Sequence, residues 1–113
     1  VSDVAELGAC LEESFSSLRL MGIECALTAP AGERIYVRDA VRIYSFFESI
    51  IEACVDSIKF MWVKIRPCGE EMVFCMEVES EDDLNSFFNK TDQGKNEDGI
   101  WKFTFTIKKA GEK

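Results

Sequence analysis

The chain has 113 residues, which is enough for one domain with a single hydrophobic core but not for two. Its composition, 47% apolar and 30% charged, is typical of a globular protein, and no apolar run is long enough to span a bilayer. The formal net charge of −8 disfavours nucleic acid and anionic membranes as partners, because both bind basic surfaces, and the absence of histidine excludes histidine-dependent triads and most zinc sites.

We expect residues 1–113 to form a single domain. Because the sequence begins with valine rather than methionine, we expect this domain to come from a longer protein whose other part lies upstream. If that protein is a membrane receptor, its membrane portion belongs to the upstream part.

The first predicted element is a helix that Ser2 or Asp3 caps and that continues to about Met21, where Gly22 ends it. Apolar residues recur along it at helical spacing and predict a buried face. These residues are Val4, Leu7, Leu11, Phe15, Leu18 and Met21.

A strand at residues 23–28, a turn at 30–32 and a short extended segment at 34–38 follow. We predict that Asp39 then caps a second helix, whose pattern continues to residue 60. The predicted buried face of this helix consists of Val41, Tyr44, Phe47, Ile51, Cys54, Val55 and Ile58.

Acidic side chains follow a four-residue repeat on the other face of the second helix. Glu48, Glu52 and Asp56 should project side by side. Like charges at this spacing destabilise an isolated helix by roughly 0.2–0.5 kcal/mol per pair, so they do not help the helix itself. Two interpretations stay open: a solvated acidic surface, or a face that binds a ligand.

The second half of the chain contains the strand signals. Residues 61–66 and 71–79 are predicted strands, the second with one clearly apolar face, and the turn at 67–70 predicts a hairpin between them. Residues 101–107 alternate apolar and polar side chains. We therefore predict an α+β two-layer sandwich, with a mixed, largely antiparallel sheet and the helices packed on one face.

Between these strands we predict a short helix that begins near Glu81, whose Phe87 and Phe88 cover one end of the core. The polar run at residues 89–99 has the composition of an exposed loop, with a turn at Asp98-Gly99 before the last strand.

The five cysteines form no Cys-x-x-Cys pair. Cys10, Cys25, Cys54 and Cys75 lie in apolar segments and are predicted to be buried, whereas Cys68 lies in the hairpin turn and is predicted to be exposed. An odd number of cysteines favours a reducing, cytoplasmic compartment over a disulfide framework. The spacing of the cysteines matches no metal-binding or redox motif.

Residues 52–60 resemble a known sequence box. They read Glu-Ala-Cys-Val-Asp-Ser-Ile-Lys-Phe, and they are similar to the Glu-Ala-Leu-Thr-Asn-Ala-Ile-Lys-His box in the ATP-binding domain of bacterial sensor histidine kinases, a family shared with gyrase, Hsp90 and MutL. Glu52 matches the glutamate of the box, whereas Asp56 stands at its asparagine and Phe60 at its histidine. The order of the elements is also similar, and residues 101–107 resemble the closing strand of such domains.

The resemblance implies the Bergerat, or histidine-kinase ATPase-like, fold and Mg-ATP as the cofactor. It implies that Glu52 orients or activates water or the phosphoacceptor, and that Asp56 is a ligand of Mg²⁺ in place of asparagine. The candidate cofactor-binding residues are then Glu48, Glu52, Asp56 and Asp82. The implied partners are a histidine-containing dimerisation segment of the same protein or of a partner kinase, and a response regulator.

The chain departs from the family where the nucleotide would be enclosed. The strand at residues 71–79 should be followed by Asp-x-Gly-x-Gly, but residues 79–84 contain no glycine; Asp82 or Asp83 could supply the aspartate after a shift in register. Only glycine lets the backbone approach a ligand so closely at no steric cost. The interval before residue 101 is also too short for the family's lid, second glycine-rich loop and third helix.

These departures predict that Mg-ATP is bound weakly or not at all. The principal hypothesis is the ATPase-like domain of a two-component sensor histidine kinase with a degenerate site, which leaves open whether this chain is an enzyme. The alternatives are a regulatory or interaction module that has kept only the fold, and an unrelated small α+β domain.

Overall fold

The computed structural model describes residues 2–110; Val1 and residues 111–113, which the predicted single domain includes, lie outside the described residues. The elements in chain order are β1 (Ser2–Asp3), α1 (Val4–Leu20), β2 (Glu24–Thr28), β3 (Arg34–Ile35), α2 (Val37–Cys54), β4 (Phe60–Cys68), β5 (Glu71–Glu79), the 3₁₀ helix η1 (Asn85–Lys90), β6 (Gln93–Glu97) and β7 (Ile100–Lys108).

Five strands form the main sheet in the order β2-β4-β5-β7-β6. The β2–β4 pair is parallel, and the three other pairs are antiparallel. This confirms the predicted mixed, largely antiparallel sheet. The strands β1 and β3 form a separate antiparallel pair that brings the starts of α1 and α2 together.

One face of the sheet carries the core. Burial alternates along β4, β5 and β7, as a sheet that is covered on one face requires. The inward side chains of β7 are Trp101, Phe103, Phe105 and Ile107. They form one hydrophobic cluster with the buried faces of α1 and α2. The prediction that the helices pack on one face is therefore confirmed.

The buried face of α1 agrees with the predicted one except at its end. The first five predicted residues, from Val4 to Leu18, are buried, but Met21 is 60% exposed. Met21 is the C-cap, and its backbone N–H donates to the Leu18 carbonyl. Gly22 then adopts a φ of 86°, which turns the chain away from the helix axis.

The helix α2 begins earlier than predicted. Tyr36 is its N-cap, and Asp39 lies inside the first turn rather than at the cap. The Asp39 backbone N–H donates to the Tyr36 carbonyl, so the first turn already includes Asp39. An acidic side chain in this turn is favourable because it faces the positive end of the helix dipole.

The helix α2 also ends earlier than residue 60. The Cys54 carbonyl accepts hydrogen bonds from the backbone N–H groups of Ser57 and Ile58, which close a turn rather than a further stretch of helix. Phe60 must already pair with Glu79 on the neighbouring strand. The apolar period continues through this turn, so it could not reveal the end of the helix.

The buried face of α2 is rotated relative to the prediction. Val41 is 58% exposed, whereas Phe46, which was not predicted to face the core, is buried. Apolar residues occur on more than one side of this helix, so periodicity allowed two faces, and the sheet covers the face with the bulkier side chains. That face consists of Ile43, Phe46, Phe47, Ile50 and Cys54.

Phe46 lies at the centre of an aromatic cluster between α2 and the sheet. Its ring centroid lies 5.5 Å from that of Phe103 and 5.8 Å from that of Phe105, both in edge-to-face geometry. Phe74 and Phe87 complete its surroundings at 6.1 and 6.2 Å. These separations are in the favourable range for aromatic pairs. The cluster fills the space that separates α2 from β5, β7 and η1.

The interval at residues 85–97 was predicted as a short helix followed by a loop. The helical part is η1, at Asn85–Lys90. The loop prediction is wrong for Gln93–Glu97, which form the edge strand β6. All five residues of β6 are exposed, and a polar edge strand has the composition of a loop. The turn at Asp98-Gly99 is confirmed, with φ values of 54° and 82°.

Gly94 allows η1 to pack on β6. A Cβ atom at this position would lie 2.3 Å from Cδ1 of Phe88, far closer than van der Waals contact. The Phe88 ring in turn packs against Phe103, with centroids 5.2 Å apart. The missing side chain of Gly94 thus makes room for an aromatic ring between the edge strand and the core.

We predict that Gly94→Ala lowers the free energy of unfolding by about 1–3 kcal/mol, because the new methyl group overlaps the Phe88 ring. The Phe88→Ala background removes the overlap, so Gly94→Ala should cost much less there. Urea unfolding of the two single variants and the double variant measures this coupling. Additive losses would show that Phe88 does not occupy the space above Gly94.

Candidate functional site

Two of the predicted site residues lie on α2 and face α1. Glu48 and Glu52 are exposed, and both line a cavity of about 230 Å³ together with Ser14 and Ser17 of α1. The predicted side-by-side arrangement therefore exists for this pair. Both residues lie on the side of α2 that adjoins α1 rather than on the side that faces the sheet.

The other two predicted site residues lie near the C-terminal end of α2. Asp56 is exposed in the turn that follows the helix. Asp82, in the segment after β5, accepts a hydrogen bond from the Ser57 hydroxyl at 2.7 Å. The structure thus brings Asp82 next to the residue that follows Asp56.

A buried serine organises the segment after β5. Ser80 is 3% exposed, its hydroxyl lies 2.7 Å from that of Ser57, and it accepts from the backbone N–H of Asp82 at 3.0 Å. Because Ser57 donates its proton to Asp82, the Ser80 hydroxyl donates to Ser57. Trp101 Nε1 donates to the Ser80 carbonyl at 3.3 Å. This closed network fastens the segment to the end of α2 at the place where the resembling family has its glycine-rich turn.

A second cavity adjoins α2 on the side of η1, and sequence analysis did not identify it. Its volume is about 490 Å³, and α2 contributes Arg42, Ser45 and Ser49 to its wall. The opposite wall is formed by residues 89–92. We call it the η1 cleft. The sequence does contain one signal for this cleft. The polar residues Arg42, Ser45 and Ser49 are spaced at i, i+3 and i+7, which predicts that they share one helix face.

Arg42 covers the floor of the η1 cleft. Its guanidinium carbon lies 4.0 Å from the centroid of the Phe105 ring, a cation–π contact. Nη2 also lies 3.5 Å from the carbonyl oxygen of Lys90. Arg42 therefore joins α2 to the end of η1, and its charge is directed to protein groups.

The residues that surround α2 do not fit a tightly held Mg-ATP. No group of three or more His, Cys, Asp or Glu side chains within residues 2–110 could hold a metal ion. Asp56 lies beyond the end of α2 and is not among the residues that line the cavity beside Glu52, and Asp82 is engaged by Ser57. The space between α2 and the sheet is filled by the rings around Phe46.

The fold is that of the catalytic domains of histidine kinases, as the sequence resemblance predicted. The catalytic domain of histidine kinase ThkA, in a nucleotide-free form, is similar with a TM-score of 0.67 and 16% identity, over 97% of this chain and 96% of that chain. Acinetobacter baumannii histidine kinase AdeS is similar with a TM-score of 0.62 and 16% identity, over 97% of this chain and 66% of that chain. This chain therefore spans about two thirds of that AdeS chain.

A further similar structure is ThkA in complex with the response regulator protein TrrA. Its TM-score is 0.55 at 12% identity, over 95% of this chain and 39% of that chain. No protein-family model and no curated protein sequence matches this chain. Within residues 2–110, no helix has the length and apolarity that a membrane crossing needs.

The cysteines divide by exposure. Cys54 and Cys75 are buried and Cys25 is partly buried, whereas Cys68 is exposed as predicted. Cys10 was predicted to be buried but is exposed, because it lies on the side of α1 that faces away from the core. Burial raises the pKa of the Cys54 thiol, the nearby Ser80 hydroxyl acts to lower this pKa, and the charge of Asp82 acts to raise it.

We predict that iodoacetamide modifies Cys68 at least about tenfold faster than Cys54 in the folded protein, because a raised pKa leaves less thiolate at a given pH and burial blocks access. Peptide mass spectrometry at pH 7 and pH 9 measures both rates. Ser80→Ala should speed the modification of Cys54, since it opens the network beside it. Equal rates for the two thiols in the wild-type protein would contradict this description.

Proposed function

We propose that this chain is the ATPase-like domain of a two-component sensor histidine kinase acting in signal transduction, and that its nucleotide site is degenerate. The domain comprises residues 1–113 and binds Mg-ATP weakly or not at all. One observation carries the proposal: aromatic side chains of α2, η1 and the sheet fill the space between α2 and the sheet, with Phe46 at the centre.

Two further features support a degenerate site. The segment after β5 has no glycine, and the Ser80 network fastens it to α2. The interval between β5 and β7 contains only η1 and β6. Neither feature leaves a mobile segment long enough to close over a triphosphate.

The net charge of −8 also disfavours nucleotide binding. A triphosphate needs cations, helix N-termini or Mg²⁺ to overcome an acidic surface. In the η1 cleft Arg42 is already stacked on Phe105, and the charges of Lys90 and Asp92 on the opposite wall offset each other. The balance of charge thus disfavours nucleotide binding.

The proposed partners are proteins of the same signalling system. The domain would contact the histidine-containing dimerisation segment of its own protein or of a partner kinase, because the chain itself has no histidine. A response regulator is a further proposed partner, supported by the likeness to ThkA in its complex with TrrA. The free cysteines within residues 2–110 support a cytoplasmic location.

Glu52 remains our candidate for a catalytic residue, with Glu48, Asp56 and Asp82 as candidates for contact with the cofactor and Asp56 as the Mg²⁺ ligand. Their positions support at most a weak interaction, because they lie in two separate places around α2. Variants of Glu52 and Asp56 therefore test whether either residue contributes to nucleotide binding.

We expect no change in the thermal midpoint between 1 mM MgCl₂ alone and 1 mM Mg-ATP. A site with a Kd of about 10 μM would stabilise the fold by about 2.7 kcal/mol and raise the midpoint by on the order of 10 °C. A rise of that size that Glu52→Gln or Asp56→Asn abolishes, in equally folded variants, would show an intact site and overturn the proposed degeneracy. Exposed Glu81→Gln is the matched control.

A further inference from the structure

We propose that the groove between α1 and α2 docks an amphipathic helix of a partner protein that carries lysine or arginine beside its apolar face. We call this surface the helix groove. It lies on the other side of α2 from the η1 cleft, and the inference goes beyond the proposed function because it does not depend on whether nucleotide binds.

The helix groove follows the two helices along most of their length. Its first cavity, of about 610 Å³, is lined by Leu7 and Cys10 of α1 and by Val37 and Val41 of α2. The cavity of about 230 Å³ that Glu48 and Glu52 line continues it between the C-terminal halves of both helices. The helices therefore run in the same direction, and the groove is roughly 20 Å long, the length of about four helical turns.

Small side chains leave the groove open. Cys10, Ser14 and Ser17 of α1 line it, and they are too short to fill the space in front of α2. The helices touch across it where the Ser14 hydroxyl and the Tyr44 hydroxyl form a hydrogen bond of 2.8 Å. A polar bridge between two apolar cavities fixes the spacing of the helices without filling the groove.

The wall on the α2 side is apolar and exposed to solvent. Val37 is 53% exposed and Val41 is 58% exposed, although both are branched aliphatic residues on one helix face. Leu7 and Ala40 lie beside them in the same cavity. An exposed apolar strip with polar borders is the surface that an amphipathic helix covers.

The charges that border the groove select the partner. Glu6 and Glu13 line the first cavity and Glu48 and Glu52 the second, and neither cavity has a lysine or arginine among its lining residues. The nearby Arg19 is paired with Glu12 at 3.4 Å. A basic helix would complement this border. A second copy of this chain is a poor match, because the chain carries a net charge of −8.

The test uses a fluorescent synthetic helix of about 18 residues, with leucine on one face and lysine beside it, and a scrambled peptide of the same composition. Fluorescence anisotropy without nucleotide should give saturable binding of the amphipathic peptide only. Val41→Asn and Glu48→Lys should each weaken binding about tenfold. Ile100→Asn and Glu81→Lys, matched changes at exposed sites away from the groove, should leave the Kd unchanged.

Several results would overturn the inference. The absence of saturable binding would contradict it. Equal binding of the scrambled peptide, or equal losses of affinity in the control variants, would also contradict it, because either result would indicate a general attraction of cations to an acidic protein. Sedimentation that shows a dimer disrupted by Val41→Asn would assign the groove to a second copy instead. Far-UV circular dichroism confirms that each variant is folded.

Discussion

The insertion of Phe46 between α2 and the sheet determines the arrangement of the whole helical layer. Its ring is surrounded by those of Phe74, Phe87, Phe103 and Phe105, so α2 cannot rotate without breaking these edge-to-face contacts. These contacts fix the orientation of α2 about its axis. In this orientation Arg42, Ser45 and Ser49 line the η1 cleft, and Glu48 and Glu52 line the cavity beside α1. The packing of one aromatic side chain thus decides which chemical groups each side of α2 presents.

The same packing fills the interval between α2 and the sheet with protein side chains. In the resembling family a nucleotide lies beside this helix, and glycines after the neighbouring strand let the backbone approach it. Here η1 contributes Phe87 and Phe88 to that region, and the Ser80 hydroxyl network holds the residues before η1 against the end of α2. In the proposed degenerate site, hydrophobic contacts between protein groups take the place of contacts with a ligand.

The sequence predicted the elements whose pattern is local. Burial alternates throughout the interior of β7 and along most of β4 and β5, so the sheet and its covered face could be predicted. The edge strand β6 could not, because none of its side chains is buried. The inward position of Phe46 depends on the shape of the sheet, which periodicity does not contain. The η1 cleft and the contact of Asp82 with Ser57 arise from residues far apart in sequence, so only the folded chain shows them.

The most direct test of the central claim is the free energy of unfolding of Phe46→Ala, measured in urea. The account predicts a loss of about 3–5 kcal/mol, because the change leaves a cavity among four aromatic rings. Val41→Ala, a truncation on the exposed side of the same helix, should change the free energy by less than about 0.5 kcal/mol. Equal and small losses in both variants would contradict the claim that Phe46 anchors α2 to the sheet.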